Sequence, residues 1–247
     1  MSALQDHGPS QSLSGRVVLI TGAAGGLGAA AAQACASAGA TVVLLGRKLR
    51  PLERVYDAVA TLGPEPLLYP LDLAGATPDD YAALAQRLQS ELGGVHGLLH
   101  CAADFAGLTP AELAAPADFA RSIHVNLTAR AWLTQACLPL MRQQGDAAVV
   151  FVVDDAVRVG QAYWGAYGAA QHAQLGVIAS LHHETAAGPV RVHGLQPGPM
   201  RTALRARAFT HQEDSEAADP VCYASACVTL LSMAGAPHRG AIWSPCA

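Results

Sequence analysis

A glycine-rich turn between a short apolar strand and an alanine-rich helix constrains this chain more than any other feature. Residues 16–20 are typical of a buried strand, and a helix follows as far as Ala38. Between them Gly22, Gly26 and Gly28 have the spacing G-x-x-x-G-x-G. Glycines allow positive φ and close backbone approach, and the first turn of a helix attracts anions. The segment is therefore predicted to hold a pyrophosphate, although such a glycine cluster can also be only a turn.

Strands and helices alternate along the rest of the chain. Further strands are predicted at 41–45, 66–71, 95–101, 147–153, 190–195 and 241–243. Helices are predicted at 49–62, 78–92, 118–144 with a bend at Pro139, 162–187 and 221–233. This alternation implies parallel strands with right-handed crossovers. We expect one doubly wound α/β domain over residues 15–247, with a seven-stranded parallel sheet of the Rossmann type and helices on both faces, after a mobile tail over 1–14.

The composition argues against several classes of protein. Net charge is −4 and no basic run is present, so nucleic-acid binding has no electrostatic support. No apolar stretch is suited to cross a bilayer, and the first residues lack the apolar core of a signal peptide. The six cysteines form no C-x-x-C pair, which indicates reduced thiols in a cytoplasmic protein. His182 and His183 are adjacent without the H-E-x-x-H spacing, so no metal site is predicted.

The residues that follow the second and third strands predict the choice of cofactor. Gly46-Arg47-Lys48 follows the second strand, where an acid would bind the ribose hydroxyls of NAD. A guanidinium grips a 2′-phosphate instead, so NADP(H) is favoured over NAD(H), unless this is only an exposed basic turn. Asp72 follows the third strand and is suited to accept a hydrogen bond from the adenine amino group, or is a simple turn acid.

Taken together, the motifs resemble the short-chain dehydrogenases/reductases over roughly residues 12–245. They are Thr21-Gly22-x3-Gly26-x-Gly28, Asp72, Asn126, Tyr167 and Pro197-Gly198-x3-Thr202. The resemblance implies a nicotinamide-dependent oxidoreductase that forms a homodimer or homotetramer through its two long helices. The cofactor-binding residues it implies are Gly22, Ala24, Gly26, Leu27, Gly28, Arg47, Asp72, Leu73, Ala102, Gln171, Pro197, Gly198 and Thr202.

The resemblance also assigns catalytic positions, and two of them carry unusual residues. Tyr167 would donate a proton to a carbonyl, and Asn126 would hold a water in the proton relay. The position of the family serine, which polarises the carbonyl, is occupied by Asp154, or by Asp155 if the register slips by one residue. The position of the family lysine, which binds the nicotinamide ribose and lowers the tyrosine pKa, is occupied by Gln171.

These exchanges predict the protonation state of Tyr167. Gln171 supplies no positive charge, and an ionised Asp154 would raise the pKa of the phenol above its usual value of about 10. A protonated phenol favours carbonyl reduction over alcohol oxidation. The alternative is a catalytically impaired nucleotide-binding scaffold or sensor. The substrate is not readable, because it would be bound by the segment from Met200 to Asp219, which carries no specificity code.

Overall fold

The computed structural model describes residues 11–209 and 216–245. Seven parallel strands form one sheet in the order β3-β2-β1-β4-β5-β6-β7. They are β1 (Val17–Thr21), β2 (Thr41–Gly46), β3 (Leu67–Pro70), β4 (Gly97–His100), β5 (Ala147–Val152), β6 (Val190–Leu195) and β7 (Ile242–Trp243). The predicted doubly wound Rossmann-type fold is confirmed.

Helices cover both faces of this sheet. They are α1 (Gly26–Ser37), α2 (Leu49–Ala60), α3 (Pro78–Leu92), α4 (Pro116–Ile123), α5 (Ala129–Met141), α6 (Ala156–Val159), α7 (Gly165–Thr185) and α8 (Ala224–Leu231). Alternate side chains of β1 point to opposite faces, as the strand period requires. Val18 and Ile20 join the core beneath α1, α2 and α8, whereas Val17 and Leu19 join the core beneath α3, α5 and α7.

The strand order reverses at β1, and this reversal places the site. Leu19 pairs with Val43 of β2 on one side and with Leu98 of β4 on the other. The chain leaves β1 and β4 in opposite directions, so their connections diverge and a crevice opens at the carboxyl ends of the strands. Ligands of open α/β sheets bind in this crevice.

One long predicted helix is interrupted in the structure. The helix predicted over 118–144 is divided into α4 and α5 by a π-helical segment, His124–Thr128, and α5 continues past Pro139. The N–H of Ala129 bonds to the carbonyl of His124, five residues back. Such single-turn π bulges are rare inside α-helices, so an apolar pattern of this length predicts a continuous helix instead.

The boundaries of two other predicted helices also differ in the structure. The helix predicted over 162–187 begins at Gly165, and the short α6 precedes it. The helix predicted over 221–233 is a 3-10 turn, Pro220–Tyr223, followed by α8 and a second 3-10 segment, Met233–His238. In the second 3-10 segment the Ser232 hydroxyl caps the Ala234 N–H.

The folded part of the chain begins before residue 15. Leu13 is fully buried, and its N–H donates to the carbonyl of Ala38 at 2.9 Å. The predicted mobile tail is therefore wrong for its last residues, because an apolar side chain there completes the core beside α1. The remainder of that tail, residues 1–10, and the cysteine at 246 lie outside the described residues.

Two features are absent from the described residues. None of their helices combines the length and hydropathy that a bilayer crossing requires. Nor do they bring three histidine, cysteine or acidic side chains together as a metal site. The other five cysteines, all within the described ranges, are free thiols.

Candidate functional site

One cavity of about 490 Å³ lies along the carboxyl ends of the strands. Its walls include all thirteen of the predicted cofactor-binding residues: Gly22, Ala24, Gly26, Leu27, Gly28, Arg47, Asp72, Leu73, Ala102, Gln171, Pro197, Gly198 and Thr202. Tyr167 and Asp154 line the same cavity. The fold therefore joins the glycine-rich turn and three of the predicted catalytic positions, Tyr167, Asp154 and Gln171, in one space.

The glycine-rich turn fits a pyrophosphate. Gly22 has φ of +65°, a conformation that a side chain disfavours. A Cβ on Gly28 would lie 2.2 Å from the Gly22 carbonyl oxygen, so the turn closes only with glycine there. Helix α1 begins at Gly26, and no side chain caps its first N–H groups. These N–H groups and the helix dipole are suited to hold an anion.

The opposite end of the cavity carries basic side chains after β2. Arg47 and Lys48 line the cavity and are exposed. Asp72 also lines it, and its Oδ1 accepts the N–H of Ala74 at 3.1 Å. This hydrogen bond orients the carboxylate in its turn and leaves Oδ2 for a second partner. The residues present therefore fit an adenosine that carries a phosphate on its ribose.

Tyr167 lies in the first turn of α7, with 6% of its surface exposed. Its phenol donates a hydrogen bond to Oδ2 of Asp154 at 3.1 Å. Asp155 is turned away, because its carboxylate caps α6 by accepting the N–H of Val157 at 2.9 Å. Asp154 is thus the residue that faces Tyr167, and the alternative register with Asp155 is excluded.

Gln171 follows Tyr167 by one helical turn and is buried. Its side-chain oxygen accepts the N–H of Asp154 at 3.0 Å. A neutral amide therefore lies where the resemblance places a lysine, and part of its hydrogen-bonding capacity fixes the backbone of the residue that faces Tyr167.

Two arginines that the sequence analysis did not single out complete the site. Arg158, in α6, forms an ion pair with Asp154, which precedes that helix, so the carboxylate has a counter-charge. Arg130 is 2% exposed and donates to the carbonyls of Val152 at 2.9 Å and Ala102 at 2.6 Å. The four-residue spacing from Asp154 could have identified Arg158, whereas no sequence signal shows that Arg130 reaches the strand ends.

The surroundings of Tyr167 raise the pKa of its phenol well above the usual value. Burial is the largest cause, because the phenolate would lose its hydration, and the charge and hydrogen bond of Asp154 act in the same direction. The positive charges of Arg130 and Arg158 act in the opposite direction without reversing the net effect. The phenol is therefore protonated at neutral pH, as the sequence predicts, with burial as a cause that the sequence could not supply.

An aromatic and aliphatic cluster covers the phenol. The ring centroids of Phe105 and Trp164 lie 5.1 Å and 5.8 Å from the ring centroid of Tyr167. Leu204 and Phe209, from the segment after the proline-glycine turn, pack on the same cluster. Arg207 in that segment donates to the carbonyl of Phe105 at 2.5 Å. The part of this predicted substrate segment over residues 210–215 lies outside the described residues.

Asn126 is placed differently from the other predicted catalytic residues. It is fully buried in the π-helical segment and does not line the cavity. Its amide nitrogen donates to the carbonyl of Asp104 at 2.7 Å, and its oxygen accepts the N–H of Asp104 at 2.9 Å. The side chain therefore holds the loop after β4 in place, and its role in a water relay stays a prediction.

Comparison with known proteins identifies the family. The sequence model of the short chain dehydrogenase family matches residues 16–213. The uncharacterized oxidoreductase YciK of Escherichia coli K12 is 35% identical over 209 residues, which cover 84% of this chain and 82% of that protein.

Solved structures give the same result. A short chain dehydrogenase from Pseudomonas syringae has 37% identity and a TM-score of 0.91, with 99% of each chain covered. An Escherichia coli CFT073 short chain dehydrogenase complexed with NADPH has 33% identity and a TM-score of 0.90, with 96% of this chain and 99% of that one covered. This chain therefore belongs to the short-chain dehydrogenase/reductase family of oxidoreductases.

Proposed function

We propose that the chain binds NADPH and uses it to reduce a carbonyl compound. The observation that carries this proposal is the presence of the Tyr167 phenol in the same cavity as the glycine-rich turn and Pro197-Gly198. Relatives support it, since the Escherichia coli CFT073 structure holds NADPH and a Shigella flexneri one, 31% identical, is complexed with NADP.

The preference for the phosphorylated cofactor rests on the turn after β2. Arg47 and Lys48 lie at the cavity edge, and no acid occupies this turn to bind a free ribose 2′-hydroxyl. A guanidinium forms charge-assisted hydrogen bonds with a phosphate and has no comparable partner in NADH. The glycine turn would hold the pyrophosphate of either cofactor equally well.

The side chains around Tyr167 suit reduction. A reduced nicotinamide, when bound, supplies hydride to the carbonyl carbon. Tyr167 holds a proton at neutral pH and would donate it to the carbonyl oxygen when its bond to Asp154 is exchanged for the substrate. Arg158 offsets the charge of Asp154, which would otherwise oppose the negative charge that develops on that oxygen. Oxidation would require a phenolate, which this environment disfavours.

The second candidate function is a nucleotide-binding scaffold without turnover. Gln171 in the place of a lysine favours it, because the neutral amide neither lowers the pKa of Tyr167 nor adds a charge near the nicotinamide ribose. In that case the cofactor cavity would serve nucleotide sensing or partner contacts.

Calorimetric titration with NADPH and NADH, followed by NADPH consumption with a panel of ketones and aldehydes, tests the proposal. We expect tighter binding of NADPH and slow reduction of at least one carbonyl class. Binding without consumption by the native chain, together with consumption by the Asp154→Ser/Gln171→Lys variant, would support the scaffold. Absence of binding to either nucleotide would contradict both functions.

We also propose a homodimer or homotetramer built on α5 and α7. The exposed face of α7 carries small residues, among them Ala169, Ala173, Gly176 and Ser180, which permit close approach of a second helix. Light scattering after size-exclusion chromatography should give a multiple of the chain mass, and Ala173→Arg should reduce it to one chain. A native monomer at high concentration would contradict this assembly.

A further inference from the structure

The most buried guanidinium among the residues that the structure describes is that of Arg130. It extends from the first turn of α5 to the carboxyl edge of the sheet. There it bonds to Val152, the last residue of β5, and to Ala102, just beyond β4. Both carbonyls belong to cavity-lining residues, and Arg130 itself lines the cavity. The cation therefore lies under the end of the cavity that contains Tyr167.

This cation has no carboxylate of its own. Among the residues that the structure describes, no acid lies within ion-pair distance of Arg130, and its Nε has no hydrogen-bond partner. Carbonyl oxygens satisfy two of its donors but do not cancel its charge. Burial of an uncompensated charge is costly, so a merely structural brace would be better served by a neutral donor.

Tyr167 lines the same cavity as Arg130, and its ionisation is affected by this charge. The two side chains interact electrostatically, which lowers the pKa of the phenol and opposes the fall in the pKa of Arg130 that burial causes. Arg158 is the other cation in range, but its guanidinium is paired with Asp154. Of the two cations that act on the Tyr167 phenol, Arg130 is therefore the one without an ion pair among the described residues.

We propose that Arg130 is a positioning residue that acts through Tyr167: it replaces, from α5, the positive charge that is missing at Gln171 on α7, and it stabilises the phenolate left when the proton is transferred. This inference deepens the proposed reduction, because a proton donor must carry negative charge after each transfer. The chain would then have a relocated cation rather than none.

The test reads the ionisation of residue 167 directly, without substrate or cofactor. Tyr167 is replaced by a difluorotyrosine, whose more acidic phenol titrates at accessible pH, and ionisation is followed by fluorine NMR. In this background Arg130→Gln should reduce the ionised fraction about tenfold or more at a fixed pH below the midpoint. Arg130→Lys, which keeps the charge, should change it much less.

A rescue variant separates charge from bracing. Adding Gln171→Lys to Arg130→Gln should restore the ionised fraction, because a lysine at 171 supplies the charge without rebuilding the bonds to Val152 and Ala102. Circular dichroism and NADPH titration show that each variant folds and keeps its cavity.

An unchanged titration in a folded Arg130→Gln chain, or a loss that Gln171→Lys does not reverse, would overturn the proposal. If Arg130→Gln does not fold, Arg130→Lys decides the question. An ionised fraction of residue 167 close to that of the parent supports the charge role. An ionised fraction about tenfold lower refutes it. Because the readout needs no turnover, a failure of the proposed reduction would appear separately, as NADPH binding without consumption.

Discussion

The Tyr167 phenol donates a hydrogen bond to Asp154 at 3.1 Å, so the predicted proton donor is held by an acid instead of a serine hydroxyl. The bond stabilises the neutral phenol and must be exchanged before the proton can reach a substrate. We expect Asp154→Ser to remove both effects and to raise carbonyl reduction by about a hundredfold, the usual scale for one polar group at a developing oxyanion.

Asp155→Ser is the matched control for this change. It alters the adjacent carboxylate, which caps α6 and does not bond to Tyr167. Steady-state NADPH consumption should change little, whereas stability should fall by at most about 1 kcal/mol, since serine still caps. Equal turnover of both variants and the native chain would contradict a role for Asp154.

The pH profile of reduction follows from the pKa of Tyr167. Because burial and Asp154 raise this pKa, the phenol remains protonated beyond the ordinary value for tyrosine of about 10. The rate of NADPH-dependent reduction should therefore show no alkaline decline from Tyr167 up to about pH 10. In Asp154→Ser the decline should move to lower pH, and a native profile that falls near neutrality would contradict this assignment.

Arg47 should determine the choice between cofactors. We expect Arg47→Ala to weaken NADPH binding by roughly tenfold to a hundredfold and NADH binding much less, because only NADPH carries the phosphate for a charge-assisted hydrogen bond. Arg50→Ala is the control, since Arg50 is exposed nearby but does not line the cavity. Equal losses for both nucleotides, measured by calorimetry, would show that Arg47 does not read the phosphate.

Gly28→Ala tests the close approach inside the turn. The new methyl would meet the Gly22 carbonyl oxygen at 2.2 Å, so the turn must open. Overpacking of this kind costs about 1–3 kcal/mol, and nucleotide binding should be lost with it. Gly75→Ala is the control: its methyl would meet no atom within 4 Å, so stability and nucleotide binding should both be unchanged. Urea unfolding and NADPH titration give the two readouts.

His193 should make the fold sensitive to mild acid. Its Nδ1–H donates to the His238 carbonyl at 2.9 Å and its Nε2 accepts from Arg191 at 3.2 Å, so the ring is neutral. Desolvation lowers its pKa from 6.5 to about 4. Because the pKa of His193 is lower in the folded chain than in the unfolded chain, the unfolded chain binds the proton first as the pH falls. The stability present above pH 6.5 is therefore lost as pH falls from 6.5 toward about 4.

His193→Gln should reduce the slope of the unfolding free energy against pH between pH 6.5 and about 4, by up to about 1.4 kcal/mol per pH unit. Urea unfolding at a series of pH values measures the slope. His183→Gln, at an exposed position, should leave it unchanged. An identical slope in the native chain and His193→Gln would mean that His193 is already protonated in the folded state.

Local pattern was sufficient for most of the fold. The apolar runs and the glycine spacing predict seven parallel strands and the turn after β1, because strand burial and positive φ at Gly22 are local requirements. The π-helical segment His124–Thr128 was missed because single-turn bulges are rare inside α-helices, and the burial of Leu13 was missed because its packing partners are distant in the chain.

The sequence by itself determined the family, because its motifs stand in the order and spacing of that family, and the resemblance implied the cavity residues and the two exchanged positions, Asp154 and Gln171. Only the tertiary structure decided the electrostatics of the site. Arg130 and Arg158 reach it from separate helices, and the burial that raises the pKa of Tyr167 comes from Phe105 and Trp164 packing over it. Charge and solvation depend on distance in space, which elements remote in the chain establish only when they pack together.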